Sequence, residues 1–264
     1  MNMPVVRPIS SRSHALVKDL RRLVQDPGAY RKLGRIWLEG DHLCSALLAR
    51  GGVPLCAVIG ASAWLQPGLR SIALQAPEVY VLDDALLGEV SSLETPVSLG
   101  FLLGLPAGEA ARPCAGASAV VLDRLQDPGN VGTILRSAAA LGVTQVLALK
   151  GTAALWSPKV LRAGMGAHFA LHLVEGLVAD DLAGLGLPLI ATSSHAEHSL
   201  PALHLPAPCA WVFGHEGQGV DAALLQRCAL TVRIPQPGGE ESLNVAAAAA
   251  ICLYESARQA MQPS

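Results

Sequence analysis

Five polar residues stand out for type and spacing. Asn130 and Arg136 lie six positions apart in the segment 127–138 (DPGNVGTILRSA), Glu216 sits in 213–220 (FGHEGQGV), and Ser242 and Asn244 fall in 234–255 (IPQPGGEESLNVAAAAAICLYE). Each segment is a Gly- or Pro-rich turn leading into helix-like sequence. The free N–H groups at the start of the first helix can take an anion, and Arg136, on its second turn, can face the same side as Asn130. Glu216, between glycines, offers a carboxylate acceptor where the backbone can approach a ligand closely. Ser242 and Asn244 precede a long Ala-rich helix that one of them is expected to cap, and a cap can still serve a ligand. His215 reads as structural. Taken singly, each loop is also compatible with an ordinary turn and cap. None is a phosphate loop of the G-x-x-x-x-G-K-[ST] type, because the lysine is missing, and the second is not a dinucleotide fingerprint.

The elements that must position these loops follow from the hydrophobic pattern. After Leu105–Ala117, a Pro-, Gly- and Ala-rich stretch that reads as a linker, apolar runs alternate with helical ones. Strands are expected at Ala119–Leu122, Gln145–Leu149, Leu171–Val174, Leu187–Ala191, Ala210–Phe213 and Leu230–Ile234. Helices are expected at Val131–Leu141, Pro158–Met165, around Asp221–Gln226 and at Asn244–Ala260. Strands that are apolar throughout, between helices, imply an α/β fold with a parallel sheet and helices on both faces. Ligands of such sheets bind beyond the strand carboxyl ends, where the loops after 119–122, 187–191, 210–213 and 230–234 converge. The N-terminal part mixes a basic-faced helix at Leu16–Val24, strands at Arg35–Glu39, Leu55–Ile59 and Glu78–Leu82, and helical stretches at Asp41–Leu48 and Asp83–Ser91. The division is therefore 1–104, a linker at 105–117, and 118–264.

Composition narrows the function classes. The chain has 264 residues, is 51% hydrophobic and only 15% charged, so polar groups gathered in a few loops are informative. Its six cysteines are scattered without metal-ligand spacing, which argues against a zinc site and for reduced thiols in the cytoplasm. The longest apolar run, Val245–Tyr254, is about half of the roughly 20 residues that cross a membrane. The net charge of −2 hides an asymmetry: residues 1–35 hold eight Lys/Arg against Asp19 and Asp26, and the rest holds 11 basic and 19 acidic residues. A basic segment of this kind either binds phosphate backbones or forms a solvated helix face.

Read together, in this order and spacing, the three segments closely resemble the signature motifs of the SpoU (TrmH) branch of the SPOUT RNA methyltransferases. N-x-G-x-x-x-R spans Asn130 to Arg136, G-x-E-G-x-G spans Gly214 to Gly219, and I-P-x-x-G-x-x-x-S-L-N-V spans Ile234 to Val245. Ser157–Ala167 is similar to the family's segment between the first and second motifs, and residues 9–40 resemble the small L30e-like substrate-binding domain that many members carry. The resemblance implies S-adenosylmethionine as cofactor, a ribose 2′-hydroxyl as acceptor, and a deep trefoil knot whose loops form the cofactor pocket. It implies cofactor contacts from Thr192, Ser193, Gly214, Glu216, Gly219, Ile234, Pro235, Gln236, Ser242 and Leu243. It puts Arg136, Asn130, Glu216, Ser242 and Asn244 in the catalytic set, with Arg136 either as base or as a grip on the RNA phosphate that also stabilises charge on oxygen. RNA contacts fall to Arg12, Lys18, Arg21, Arg22, Lys159 and Arg162. A homodimer through the C-terminal domain is implied, without metal or membrane.

The sequence departs from the family pattern at His14, where relatives often have Asn, and at Gln236, where Met is common. Ribosomal RNA is the expected substrate, from the extra N-terminal domain. The alternatives are a tRNA 2′-O-methyltransferase and a non-catalytic RNA-binding or ribosome-assembly factor that keeps the fold.

Overall fold

Runs that are apolar at every position become strands covered on both faces, because neither face meets water. The structure is a computed structural model that describes residues 4–91, 97–106, 112–238 and 242–262. It divides into two units, one made of 1–106 with 156–169, the other of 107–155 with 170–264.

The first unit runs β1 (Val5–Ile9), α1 (Ala15–Gln25), α2 (Ala29–Leu33), β2 (Arg35–Glu39), α3 (Asp41–Ala49) and β3 (Cys56–Gly60). It continues through α4 (Ala61–Trp64), α5 (Pro67–Ala73), β4 (Glu78–Leu82), α6 (Asp84–Gly88) and β5 (Leu99–Gly104). Its sheet has the order β1-β4-β3-β5-β2. β4 lies parallel to β1 and β3, whereas β5 is antiparallel to both β2 and β3. In α1 the apolar stripe Leu16, Val17, Leu20 and Leu23 is buried, and the basic residues stay outside. His14 is its N-cap: Nδ1 accepts the Leu16 N–H at 3.2 Å, which accounts for a side chain other than Asn there.

The second unit runs β6 (Ala119–Asp123), α7 (Pro128–Ala140), β7 (Gln145–Leu149), then, beyond α8 (Pro158–Gly164), β8 (His172–Leu177), β9 (Leu189–Thr192) and β10 (His198–Ser199). It closes with β11 (Ala210–Gly214), α9 (Ala222–Leu225), β12 (Leu230–Arg233) and α10 (Val245–Ala260). The sheet order is β10-β12-β9-β11-β6-β7-β8, and its pairings are parallel. β6, β7 and β11 are buried along their whole length. On one face α10 packs on α7 and β11, burying Ala246, Ala249, Cys252 and Leu253, and Ser256 Oγ takes the Trp211 indole N–H at 2.9 Å. On the other face Val121, Leu147, Val174, Ala191, Val212 and Leu224 share a core. The carboxyl ends of β6, β9, β11 and β12 thus share one edge.

Several details differ from the sequence reading. β1 was not expected; Pro8 and four exposed positions in VVRPI hide it, as suits a strand on a sheet edge. The two-residue β10 was not expected either. α7 begins at Pro128, three residues before the expected start, because Asp127 supplies the cap. α8 groups with the first unit, where Arg162 pairs with the buried Glu39 at 3.6 Å. Of the expected linker, 107–111 lie outside the described residues.

Candidate active site

The loop after β6 starts the site. Asp127 caps α7 by accepting the Asn130 N–H at 2.8 Å, with Pro128 in the first turn where its missing N–H costs nothing. The Asn130 side chain is thereby left to reach outward. At the far end of the chain Asn244 caps α10, its Oδ1 accepting the N–H groups of Ala246 at 2.9 Å and Ala247 at 3.3 Å. That fixes which way its amide points. Asn244 Nδ2 must face out, and it donates to Asn130 Oδ1 at 2.9 Å. Asn130 Nδ2 then donates to Glu216 Oε1 at 3.2 Å. The ionised carboxylate can only accept, so the chain Asn244→Asn130→Glu216 has a single direction, and it joins all three motif loops.

Glu216 is held from several sides. Oε2 accepts the Gln126 N–H at 3.3 Å and Oε1 the Asp127 N–H at 3.2 Å. Burial pushes its carboxyl upward. Hydrogen bonds from its own backbone N–H, Asn130, Asp127 and Gln126 outweigh this and hold it below the ordinary carboxylate range. Neutral donors, not cations, satisfy this charge.

The loop that carries Glu216 has a narrow backbone path. A Cβ on Gly214 would lie 2.1 Å from Gly219 C and from Val220 N. These are main-chain atoms that cannot yield, so only glycine is allowed there. His215 Nδ1 accepts the N–H groups of Gly217 at 3.0 Å and Gln218 at 3.3 Å, the structural part expected of it. Two residues missed by the sequence reading, Asp123 and Arg124, also hold this loop. Arg124 donates to Gln218 Oε1 at 3.1 Å, and Asp123 Oδ2 accepts the Asp221 N–H at 2.7 Å. The available signal was a charged pair directly after an apolar strand.

Beside the junction lies a cleft of about 450 Å³, within the size range of small-molecule sites. Its wall includes Thr192, Ser193, Glu216, Gly219, Ile234, Gln236, Ser242 and Leu243, all expected at a cofactor. Gly214 and Pro235 are not on the wall; Gly214 is buried behind it. Gln236 Oε1 is a buried acceptor without a hydrogen-bond partner among the described residues. Arg136 lies exposed on α7 and has no hydrogen-bond or ion-pair partner among the described residues. A second cavity of about 250 Å³ opens at the opposite edge of the sheet, beside α10, away from the polar junction.

The expected RNA contacts all belong to the first unit. Arg12 and Arg21 both pair with Glu89, and Arg162 pairs with Glu39. Lys18, Arg22 and Lys159 are exposed with no ion-pair partner among the described residues.

The profile of the SpoU rRNA Methylase family matches residues 117–254. An uncharacterized tRNA/rRNA methyltransferase of Synechocystis is 35% identical over 96% of this chain and 94% of its own. A 23S rRNA (guanosine(2553)-2′-O)-methyltransferase of Bacillus subtilis is 30% identical, covering 94% of this chain and 98% of its own. The crystal structure of a SpoU methyltransferase from Streptomyces viridochromogenes in complex with S-adenosylmethionine superposes with a TM-score of 0.85 at 25% identity, over 95% of this chain and 100% of that one.

Proposed function

The chain belongs to the SpoU rRNA methylase family, and from that premise we propose that it methylates a ribose 2′-hydroxyl of ribosomal RNA with S-adenosylmethionine. The observation that carries the reading is the Asn244–Asn130–Glu216 chain, which ties the three motif loops together at the rim of the cleft. The residues present suit this cofactor. Gln236 Oε1 is a buried acceptor with no donor among the described residues and can take an amine, while Val232, Ile234 and Leu243 give the wall apolar surface. Bound there, the cofactor supplies an already activated methyl group.

What remains for the protein is alignment and charge. Glu216 fixes Asn130 and the start of α7, and Asn244 fixes Asn130 from the other side. The Arg136 guanidinium offers donors and no acceptor, so its part is to grip an RNA phosphate and to stabilise negative charge developing on the attacking oxygen. Ser242, exposed on the cleft wall, orients the ribose or the cofactor. Lys18, Arg22 and Lys159 supply the uncommitted charge for an RNA backbone.

The same reading assigns an L30e-like character to the first unit and a trefoil knot to the last strands. The strand order, in which β9 lies between β12 and β11, is consistent with such a crossing. A homodimer through the C-terminal domain is supported by exposed Ile251 and Tyr254 on α10.

Incubation with methyl-labelled S-adenosylmethionine and separate rRNA and tRNA transcripts, followed by 2′-O-methyl mapping, tests the proposal. Label on an rRNA ribose is expected. Label on tRNA alone would move the activity to that substrate, and RNA binding without label on either would leave an assembly factor.

A further inference from the structure

We propose that Asp123 and Arg124 are positioning residues that hold the Gly214–Val220 loop in its cofactor-binding shape. The inference rests on the methyl-transfer reading and extends it to residues outside the three motifs.

Asp123 brackets the loop at both ends. In the β11–β6 pairing it is the register partner of Gly214, where the loop leaves the sheet. Its carboxylate, on a residue only 2% exposed, accepts the Asp221 N–H at 2.7 Å, where the loop rejoins a helix. Arg124 holds the middle. Nε and Nη2 lie on the two Asp123 oxygens at 3.0 and 3.1 Å, while Nη1 donates to Gln218 Oε1 at 3.1 Å and Nη2 to Gly219 O at 3.5 Å. Gln218 and Gly219 both line the cleft.

The arginine reaches this place through an unusual backbone. Its φ is +58°, in the left-handed region that residues with a Cβ seldom occupy. Such a conformation persists only where its surroundings over-determine it, and it gathers at functional sites. The flanking carbonyls are pinned on both sides, Leu122 O by Thr152 Oγ1 at 2.9 Å and Leu125 O by the Ala153 N–H at 2.7 Å. The side-chain stem lies over Gly151, where an added Cβ would meet Arg124 Cγ at 3.2 Å. Glu216 returns the grip by binding the N–H groups of Gln126 and Asp127. Segment 123–127 and loop 214–221 are therefore fastened to each other in both directions. Only the Glu216 half of that fastening lies in a recognised motif.

The test is calorimetric binding of S-adenosylmethionine, with steady-state KM and kcat, on the full chain and its variants. Arg124→Ala is expected to weaken cofactor binding about tenfold or more, the scale of lost hydrogen bonds to a charged group. KM should rise in step, with kcat at saturating cofactor within about threefold, the sign of lost ground-state binding. Arg124→Lys should restore part of the affinity. Because Gln218 itself lines the cleft, the double variant Arg124→Ala/Gln218→Ala decides whether the two act as one: it should bind no worse than the poorer single variant. Full additivity, or an Arg124→Ala affinity equal to wild type, overturns the inference. Should Arg124→Ala fail to fold, Arg124→Lys and its double with Gln218→Ala carry the same comparison. Wild-type protein that binds no S-adenosylmethionine would instead bring down the reading beneath it.

Discussion

Each unit gathers a carboxylate with polar partners near one edge of its sheet, and the two are satisfied in opposite ways. Glu89, in the first unit, is taken by two guanidinium groups, Arg12 and Arg21. Glu216, in the second, is taken by backbone N–H groups and the Asn130 amide. The difference decides what each edge has left over. Around Glu89 the cations are committed to the protein itself. Around Glu216 the negative charge is met without spending a cation, and Arg136, the sole cation in α7, has no partner among the described residues. Exposed ion pairs contribute only about 0–1 kcal/mol each, so Glu89 tunes surface charge more than it stabilises the unit.

The contrast can be broken first at Arg136. Arg136→Ala should lower methyl transfer by roughly 100-fold or more, the scale of removing a charge stabiliser from a transition state, with cofactor affinity unchanged by calorimetry. Normal turnover would mean that the free cation is not where the chemistry is. Gly214→Ala comes next. Its Cβ would strike main-chain atoms, so the loop must shift; a loss of about 1–3 kcal/mol in stability should come with greatly weakened cofactor binding. A melting temperature and affinity equal to wild type would contradict the backbone geometry.

Glu216 gives a smaller effect with a defined pH sense. Its folded-state pKa is lowered, so its contribution is fully present above the ordinary carboxylate value of about 4.3 and is lost as pH falls through the lower folded value. Thermal stability and cofactor binding should therefore show almost no Glu216-linked change from about pH 5.5 upward, about one unit above that value. Glu216→Gln, which places an N–H donor among donors, should cost roughly 1 kcal/mol and remove that acid-side dependence. A Glu216-linked transition near neutrality would contradict the assigned hydrogen bonds.

The smallest effects belong to the first unit. Replacing Lys18 and Arg22 by Gln should weaken RNA binding a few-fold and flatten its salt dependence by about 1.4 to 1.8 units of slope, at about 0.7 to 0.9 per lost phosphate contact. Glu89→Gln should do the reverse, freeing Arg12 and Arg21 to strengthen binding. Salt slopes unmoved by either change would return this face to an ordinary solvated surface.

What was legible in the sequence was what depends on local pattern. Fully apolar strands such as Val120–Leu122 and Val146–Leu149 announce a parallel sheet, and the Gly-flanked Glu216 and the Asn244 cap carry their geometry with them. What stayed hidden depends on partners distant in the chain. The run Leu99–Gly104 says nothing of the antiparallel direction in which it pairs. Asp123 looks like any polar residue ending a strand until the Asp221 N–H arrives from 98 positions away. The basic residues of the N-terminal segment could be counted, but not which of them Glu89 would claim.

The bond from Asn244 to Asn130 spans 114 positions, and its consequence lies in the order of assembly. Loops closed over such separations pay their entropy before the contact rewards them, which slows folding. This polar junction cannot exist on a growing polypeptide until Asn244, at the start of α10, has been made and has docked. Up to that moment Asn130 has only one of its two side-chain partners, and the cleft lacks the wall formed by Ser242 and Leu243. The junction is therefore complete only after all three loops have been made.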